Sequence, residues 1–281
     1  MSNSINLLND YECLKDSLQK INNNFEFLTS AVRSFKSCCD YKPCCEHLLI
    51  NPVAGRNATY VGFGGSSGET LYEQHWIHNF TWSSKFINLK KEDLLENSTY
   101  SENAVRVNNS IRLSNGFFTK GNVFHDIPVH YKDEENAIID WNAYYEFSIG
   151  GSQAGGSAFR DGLTFILQSN SPTAVGGGSE QLGFGGIPFS IGISYDTYQN
   201  TTNDTNANTI EINVNGSLAS IREVVCPFSL RGTLGTTKTI YNWVEYHNGI
   251  LNVYISETST KPSSSIISEP INVNSYLTRF A

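Results

Sequence analysis

The feature that most constrains the fold of this chain is a strand–loop–strand segment between residues 189 and 215. Apolar residues alternate with small or polar residues from Phe189 to Tyr195, which predicts a strand with one buried face. A polar loop, residues 200–208, separates it from a second alternating run at residues 210–215. Charged residues make up only 16% of the chain, and 23 glycines accompany many Ser, Thr and Asn residues. This composition favours a β-sandwich with long polar loops.

The same loop concentrates oxygen atoms that could bind a metal ion. Asp196, Asn200 and Asp204 fall within nine residues, and Tyr198 adds a backbone carbonyl between them. Carboxylate, amide and carbonyl oxygens on a bent loop are the ligands that Ca²⁺ requires. The alternative is an Asx-rich turn without a metal, because Asn and Asp favour turns for their own reasons. The loop alone leaves both interpretations open.

Several motifs, in the right order, resemble those of the L-type (legume-like) lectins, and most closely the bacterial branch of that family. The resemblance covers most of residues 58–281 and implies an all-β, concanavalin A-like antiparallel β-sandwich, or jelly roll. The motifs are the metal loop at residues 195–200, an Asp-Gly strand at residues 161–168, a glycine-rich loop at residues 176–186 and later strands at residues 242–256.

This resemblance implies one Ca²⁺ site and the loss of a second metal site. Asp196 and Asp204 would bind Ca²⁺ through carboxylates, Asn200 through its amide oxygen and Tyr198 through its carbonyl. The family's transition-metal site uses a Glu and a His. The corresponding positions here are Ser194 and Thr209, which lack the carboxylate and the imidazole that such a site needs.

The resemblance also implies a carbohydrate site beside the calcium. Asp161, expected to follow a cis peptide bond from Arg160, would accept hydrogen bonds from sugar hydroxyls, and the ring of Tyr198 would stack on the sugar. The implied sugar-binding set is Asp161, Gly177, Gly178, Tyr198, Asn200, Glu69 and Thr70.

The order of the motifs indicates a circular permutation. Residues 58–68 and 75–82 resemble the last strands of these lectins, yet they come first here. Sandwiches tolerate such rearrangement when the original termini lie close together, so we expect Ala281 near Ala58. The strand from Ala58 would span about 20 Å towards the sugar-site loop at residues 66–72. The segment before it should therefore join the opposite pole.

Residues 5–36 carry a heptad pattern. Leu7, Leu14, Ile21 and Leu28 are seven residues apart, which predicts a coiled coil that self-associates. The alternative is a single amphipathic helix packed on the sandwich. Residues 13–25 also resemble a segment of tail and fibre proteins of large phages, for which a homotrimer is expected, although the pattern leaves strand number open. The predicted domains are a helical neck (1–37), a Cys-rich linker (38–57) and the permuted lectin-like sandwich (58–281).

Four cysteines in the linker form two adjacent pairs: Cys38, Cys39, Cys44 and Cys45. They could form inter-chain disulfides or remain free thiols, and both are favoured over Zn²⁺ because the spacing fits no standard zinc motif.

Charge and hydropathy exclude several partners. The formal net charge of −8 gives no support for nucleic-acid binding. We expect no membrane insertion, because no apolar run is long enough to span a bilayer. We also expect no signal peptide, because the N-terminus lacks a basic region and an apolar core.

Three functions follow from these patterns. The first is a calcium-dependent, non-catalytic lectin head of an oligomeric virion or fibre-like protein, located on the virion surface, that recognises host-cell glycans. The second is a structural virion decoration protein without sugar binding. The third is a glycoside hydrolase, which would need two carboxylates flanking the scissile bond. The strand motif that supplies them in related enzymes is absent here.

Overall fold

Two antiparallel sheets packed face to face account for most of the residues that the computed structural model describes. Those residues are 57–68, 73–150, 160–200, 206–232 and 237–278. Internal contacts divide the chain into Met1–Ile50 and Asn51–Ala281, and every described residue belongs to the second unit. The predicted helical neck, the four linker cysteines, Glu69, Thr70 and Asp204 all lie outside the described residues.

Strands dominate the described ranges, with two short helices and one 3₁₀ turn. None of these helices is long and apolar enough to cross a membrane. The strands are β1 (Ala58–Ser66), β2 (Gln74–Ser84), β3 (Asn88–Leu89), β4 (Ser98–Glu102), β5 (Val105–Val107), β6 (Ser110–Asn115), β7 (Lys120–His125), β8 (Val129–His130), β9 (Trp141–Gly150), β10 (Gly162–Gln168), β11 (Ser190–Asp196), β12 (Thr209–Val214), β13 (Arg222–Val225), β14 (Thr239–His247), β15 (Ile250–Ser256) and β16 (Ile267–Pro270). The helices are α1 (Lys91–Glu96) and α2 (Asn274–Leu277), and the 3₁₀ turn is Ser179–Gln181.

Each sheet has seven strands in a continuous path and one short strand beside it. Sheet A has the order β13-β12-β11-β10-β1-β7-β4, and β8 pairs with β1. Sheet B has the order β16-β15-β14-β9-β2-β6-β5, and β3 pairs with β2. The expected all-β antiparallel sandwich is confirmed for this part of the chain. The two alternating runs of the sequence become β11 and β12.

Aromatic side chains fill the space between the sheets. Phe63 of sheet A contacts Tyr145 of sheet B edge to face, with ring centroids 5.2 Å apart. The hydroxyls of Tyr145 and Tyr195 form a hydrogen bond of 2.6 Å across the core. Trp82 and Trp141 are stacked with ring centroids 4.6 Å apart and are each 1% exposed. Such rings bury large apolar areas, so this layer stabilises the stacking of the sheets.

The outer face of sheet A is covered as well. All residues of β10, β11 and β12 are buried, whereas residues of β14 in sheet B alternate between buried and half-buried. The cover comes from the segment 169–189, whose Phe184 and Ile187 pack on Phe124 and Ile166. Polar side chains on the outer face of sheet A therefore lie in a buried layer.

Both ends of the described sandwich lie beside Tyr131. The carbonyl of Asn57 accepts hydrogen bonds from the N–H groups of Tyr131 (2.9 Å) and Lys132 (3.2 Å). The Tyr131 hydroxyl is 3.2 Å from Thr278 Oγ1. From this point β1 runs through nine residues to Ser66 at the opposite end of the sheet.

Candidate functional site

The backbone of Asp161 joins strands β1, β10 and β11 at one end of sheet A. Its N–H donates to the carbonyl of Ser66 at 3.3 Å. Its carbonyl accepts from the N–H of Thr197 at 2.8 Å and from Thr197 Oγ1 at 2.7 Å. The peptide bond between Arg160 and Asp161 is cis, as the resemblance implied. Asp161 is therefore held from both neighbouring strands.

The carboxyl group of Asp161 has an acceptor oxygen available for a ligand. The residue is 1% exposed, and its Oδ2 accepts no hydrogen bond from any described residue. Burial raises the pKa of this carboxyl to about 7, against the opposing effects of Arg160 and a hydrogen bond from Ser179. Buried acceptors without a partner are uncommon because they cost free energy. A ligand hydroxyl that donates to Oδ2 would remove this cost.

The glycine-rich loop is fixed over the end of β1. Ser66 Oγ donates to the carbonyl of Ser179 at 2.6 Å, where the 3₁₀ turn begins. Gly183 has φ +69°, and a Cβ at this position would lie 2.5 Å from the backbone nitrogen of Gly65. Only glycine fits both the left-handed conformation and the close approach. The loop sequence thus determines how the loop lies on sheet A.

In the glycine-rich loop, the backbone N–H of Gly178 is available to a ligand. The N–H of Gly177 donates to the carbonyl of Gly185 at 2.8 Å, and that of Gly176 donates to Asn122 Oδ1 at 3.2 Å. The N–H of Gly178 donates to no other described residue. Of the two glycines expected to bind sugar, Gly178 therefore offers the available donor.

The guanidinium group of Arg160 lies over one face of the Tyr198 ring. Arg160 Cζ lies 3.9 Å from the ring centroid, and Arg160 Nη2 donates to the Tyr198 hydroxyl at 2.5 Å. The arginine stem packs on Gly68, where a Cβ would lie 2.7 Å from Arg160 Cδ. A sugar that stacks on Tyr198 would use the opposite face of the ring.

Two of the four expected calcium ligands line one cavity. Asp196 and Asn200 line it together, and the N–H of Tyr198 donates to Asp196 Oδ1 at 2.7 Å, which fixes the start of the loop. These hard oxygen donors fit Ca²⁺. The fourth expected ligand, Asp204, is not among the described residues. Within the described ranges, no three His, Cys, Asp or Glu side chains cluster closely enough to hold a metal ion.

The two positions of the transition-metal site carry hydroxyl groups engaged with neighbours. Ser194 Oγ lies 3.0 Å from Thr164 Oγ1, and Thr209 Oγ1 donates to Glu211 Oε1 at 3.0 Å. Ser194 and Thr209 supply neither a carboxylate nor an imidazole. These residues do not fit the family's transition-metal site.

Glu73 contacts Thr197 behind Asp161. Sequence patterns did not identify Glu73 as a site residue. It is 1% exposed, and its Oε2 accepts from Thr197 Oγ1 at 2.9 Å. Arg231 Nε and His75 Nε2 each lie 3.9 Å from a carboxyl oxygen of Glu73. Burial raises the pKa of Glu73 to about 7; Arg231 and Thr197 oppose the shift and Asp161 adds to it.

Thr197 connects Glu73 to Asp161. Its single hydroxyl hydrogen faces two acceptors, Glu73 Oε2 and the Asp161 carbonyl. A protonated Glu73 can donate to Thr197 Oγ1, which then donates to Asp161, so both contacts are satisfied. The elevated pKa of Glu73 is consistent with this arrangement.

Comparison with known proteins identifies the family. The family model described as "Legume lectin domain" matches residues 85–281, so the chain belongs to the legume lectin domain family. The chain is also 26% identical over 176 residues to the L-type lectin-domain containing receptor kinase VIII.1 of Arabidopsis thaliana. That match covers 57% of this chain and 23% of the kinase, so the chain spans less than a quarter of the length of this relative.

Proposed function

We propose that this protein is a calcium-dependent carbohydrate-binding protein whose sugar site lies at the Asp161 end of sheet A. The observation that carries the proposal is the buried, unpartnered Oδ2 of Asp161 beside the glycine-rich loop and the Asp196 loop. Membership of the legume lectin domain family supports it, and that family is generally non-enzymatic.

Calcium would order the loop that follows β11. Asp196 and Asp204 bind the ion through carboxylates, Tyr198 through its carbonyl and Asn200 through its amide oxygen. The NH₂ group of Asn200 is then directed at a sugar hydroxyl, because its oxygen remains on the ion. Ca²⁺ is thus the cofactor that preorganises the sugar site.

The sugar would be held by a few polar groups around an aromatic surface. Its hydroxyls donate to Asp161 and accept from the N–H of Gly178, with Gly177 shaping the loop. Its apolar face stacks on the Tyr198 ring, on the side away from Arg160. The loop that contains Glu69 and Thr70 borders the site and selects among glycans.

The sugar site would be displayed by an oligomer of this chain. The proximity of Asn57 and Thr278 to Tyr131 supports the circular permutation. The neck (1–37) would form a homotrimeric coiled coil, joined by the Cys-rich linker (38–57) to the sandwich (58–281). Because β1 leads from Asn57 to Ser66 beside Asp161, Asn57 and the sugar site lie at opposite ends of β1. On a virion fibre of this kind, several weak sites would bind host glycans with avidity.

A second candidate is a structural virion protein that has lost sugar binding. The hydroxyls of Ser194 and Thr209 at the family's second metal position favour it, because a degraded metal site removes support from the sugar loop.

A glycan array with and without a calcium chelator tests the proposal. We expect binding that the chelator abolishes and that Asp161→Asn weakens at least about 100-fold, because one carboxylate oxygen is replaced by an NH₂ group that cannot accept a hydrogen bond from the sugar. Glu269→Gln, on the far edge of sheet B, is the control and should bind like the unmodified protein. Absence of binding to any glycan on the array would favour the structural virion protein. Release of reducing ends from a bound glycan would instead indicate a hydrolase.

A further inference from the structure

We propose that Phe118 forms a second carbohydrate subsite beside Asp161, so that the preferred ligand is an oligosaccharide rather than a single sugar. Phe118 lies in the turn between β6 and β7, residues 116–119, and it is 66% exposed. Phe117, the residue before it, is 49% exposed. The inference rests on the proposed function, because the second sugar ring is reached from the ring bound at Asp161.

The backbone of Phe118 has a conformation that aromatic residues rarely adopt. Its φ is +53°, in the left-handed region, where a side chain with a Cβ costs free energy. Leu182 has a similar φ of +52°, but it is only 4% exposed, so burial of its side chain offsets the strain. Phe118 gains little from burial, so its backbone strain has no such offset in the free protein. Strain of this kind is characteristic of functional sites, which favours a role for Phe118 in ligand binding.

Hydrogen bonds hold the turn against the segment that follows β1. The N–H of Phe118 donates to the carbonyl of Gly68 at 3.1 Å, and the N–H of Ser67 donates to the carbonyl of Thr119 at 2.9 Å. Thr119 Oγ1 donates to the carbonyl of Gly116 at 2.9 Å, which closes the turn. The backbone position of Phe118 is therefore set before a ligand binds, which lowers the cost of ordering the subsite.

The turn lies beside the residues that are proposed to bind sugar. Lys120, the first residue of β7, pairs with Ser66, whose carbonyl accepts from the N–H of Asp161. The stem of Lys120 lies against Gly178, since a Cβ on that glycine would be 3.6 Å from Lys120 Cδ. Phe118 is two residues from Lys120, so their Cα atoms are at most about 7 Å apart. A second or third ring of a saccharide held at Asp161 and Gly178 can therefore reach Phe118.

The size and chemistry of the exposed surface favour a sugar over a protein partner. Aromatic side chains bury about 150–250 Å² each, so the two phenylalanines offer roughly 200 Å² at their exposed fractions. A stable protein interface buries about 1,200–2,000 Å² in total, far more than these rings supply. The C–H-rich face of one or two sugar rings needs much less area and stacks on aromatic surfaces. Because phenylalanine lacks a polar group, Phe118 would add affinity but little selectivity among hydroxyl configurations.

Calorimetric titration with saccharides of different length tests the inference. The probes are the best-bound array glycan and the methyl glycosides of its constituent sugars, each titrated into the full chain with saturating Ca²⁺. The unmodified protein should bind the array glycan at least about threefold more tightly than any of the monosaccharides. Phe118→Gly should weaken the array glycan about three- to tenfold and leave monosaccharide affinity unchanged.

Stability measurements separate a ligand contact from a structural role. Glycine adopts positive φ without strain, so Phe118→Gly should raise the midpoint of urea denaturation or leave it unchanged while glycan binding weakens. Phe118→Asn, whose side chain also tolerates the left-handed region, should behave in the same way. Ile250→Ser, the control, removes another exposed apolar side chain, on β15 of sheet B, and should bind every probe like the unmodified protein.

The outcomes separate this inference from the proposed function. Chelator-sensitive glycan binding that Phe118→Gly does not change would overturn the second subsite and leave the proposed function intact. Equal weakening of the array glycan and the monosaccharides would also overturn it, as would an unmodified protein that binds both equally tightly. Unchanged glycan affinity together with lost binding to phosphatidylcholine vesicles would assign Phe118 to a lipid surface instead. No binding to any array glycan would overturn both proposals.

Discussion

Sheets A and B have the same number of strands in their main paths but differ in how their outer faces are covered. In β14 of sheet B, buried and half-buried residues alternate, as expected for a sheet with one face towards solvent. In β11 of sheet A every residue is buried, because the segment 169–189 packs over the outer face. Sheet A positions the strands, and the segment 169–189 encloses the polar side chains of its outer face. A ligand site can form in this enclosed polar layer.

The difference has an energetic consequence for polar groups. Those on the outward-facing side of β14 in sheet B lie near water, where an ion pair such as Lys261–Glu245 contributes little. Those on sheet A, including Asp161 and Glu211, must find partners inside the protein or in a ligand. Matched substitutions on the two sheets therefore test whether this difference in covering determines stability.

The largest difference is expected between two glycines with positive φ. Gly183→Ala places a Cβ 2.5 Å from the Gly65 backbone, so we expect it to lower the free energy of unfolding by about 4 kcal/mol. Gly249→Ala, in the β14–β15 turn, meets no atom within 4 Å and should cost only about 1 kcal/mol of backbone strain. Urea denaturation measures both. Equal losses would show that the loop is not seated tightly on sheet A.

The next effect is a pH dependence of stability caused by Glu73. Its pKa is raised from 4.5 to about 7, so between these values the folded protein holds a proton that the unfolded chain releases. Ionisation of Glu73 should therefore lower stability by about 3 kcal/mol in total as pH rises through this window. Asp161, whose pKa is raised to about 7, acts in the same direction, and His75, whose pKa is lowered to about 3, acts in the opposite direction. Glu73→Gln should remove only the Glu73 contribution, measured by urea denaturation from pH 4.5 to 8 as the difference in pH dependence between the variant and the unmodified protein.

The matched control on sheet B is Glu245→Gln, which alters a partly exposed ion pair. Its dependence of stability on pH should follow that of the unmodified protein. If the pH dependence of Glu73→Gln matched that of the unmodified protein, the carboxyl of Glu73 would make no such contribution.

The smallest difference concerns two cations that lie at the same distance over tyrosine rings. Arg160 over Tyr198 and Lys261 over Tyr254 are both 3.9 Å from the ring centroid. Arg160 is partly buried and also donates to the ring hydroxyl, so Arg160→Ala should cost about 1–2 kcal/mol. Lys261→Ala, at an exposed position, should cost about 0.5 kcal/mol or less. A larger loss for Lys261→Ala in thermal denaturation would contradict the account.

Sequence patterns predicted the strands better than they predicted the covering of the site. Alternation located β11 and β12, because the period of a strand is local to its own residues. The same alternation could not show that Glu211 is buried, since its covering loop comes from another part of the chain. Glu73 was missed for a similar reason, because its partner Thr197 lies 124 positions away.

Resemblance to a family predicted positions that the family shares but not those in which this chain differs. Asp161, the cis bond before it and the glycine-rich loop occur at the expected end of sheet A. The stacking of Arg160 on Tyr198 could not be foreseen, because the two residues lie 38 positions apart in the sequence.

The most direct test of the central claim is a crystal structure of the protein grown in calcium with a glycan selected from the array. We predict one calcium ion bound by Asp196 and Asn200, with sugar hydroxyls within hydrogen-bond distance of Asp161 Oδ2 and the N–H of Gly178. A glycan bound elsewhere on the sandwich, or a loop after β11 that holds no calcium at saturating concentration, would contradict the account.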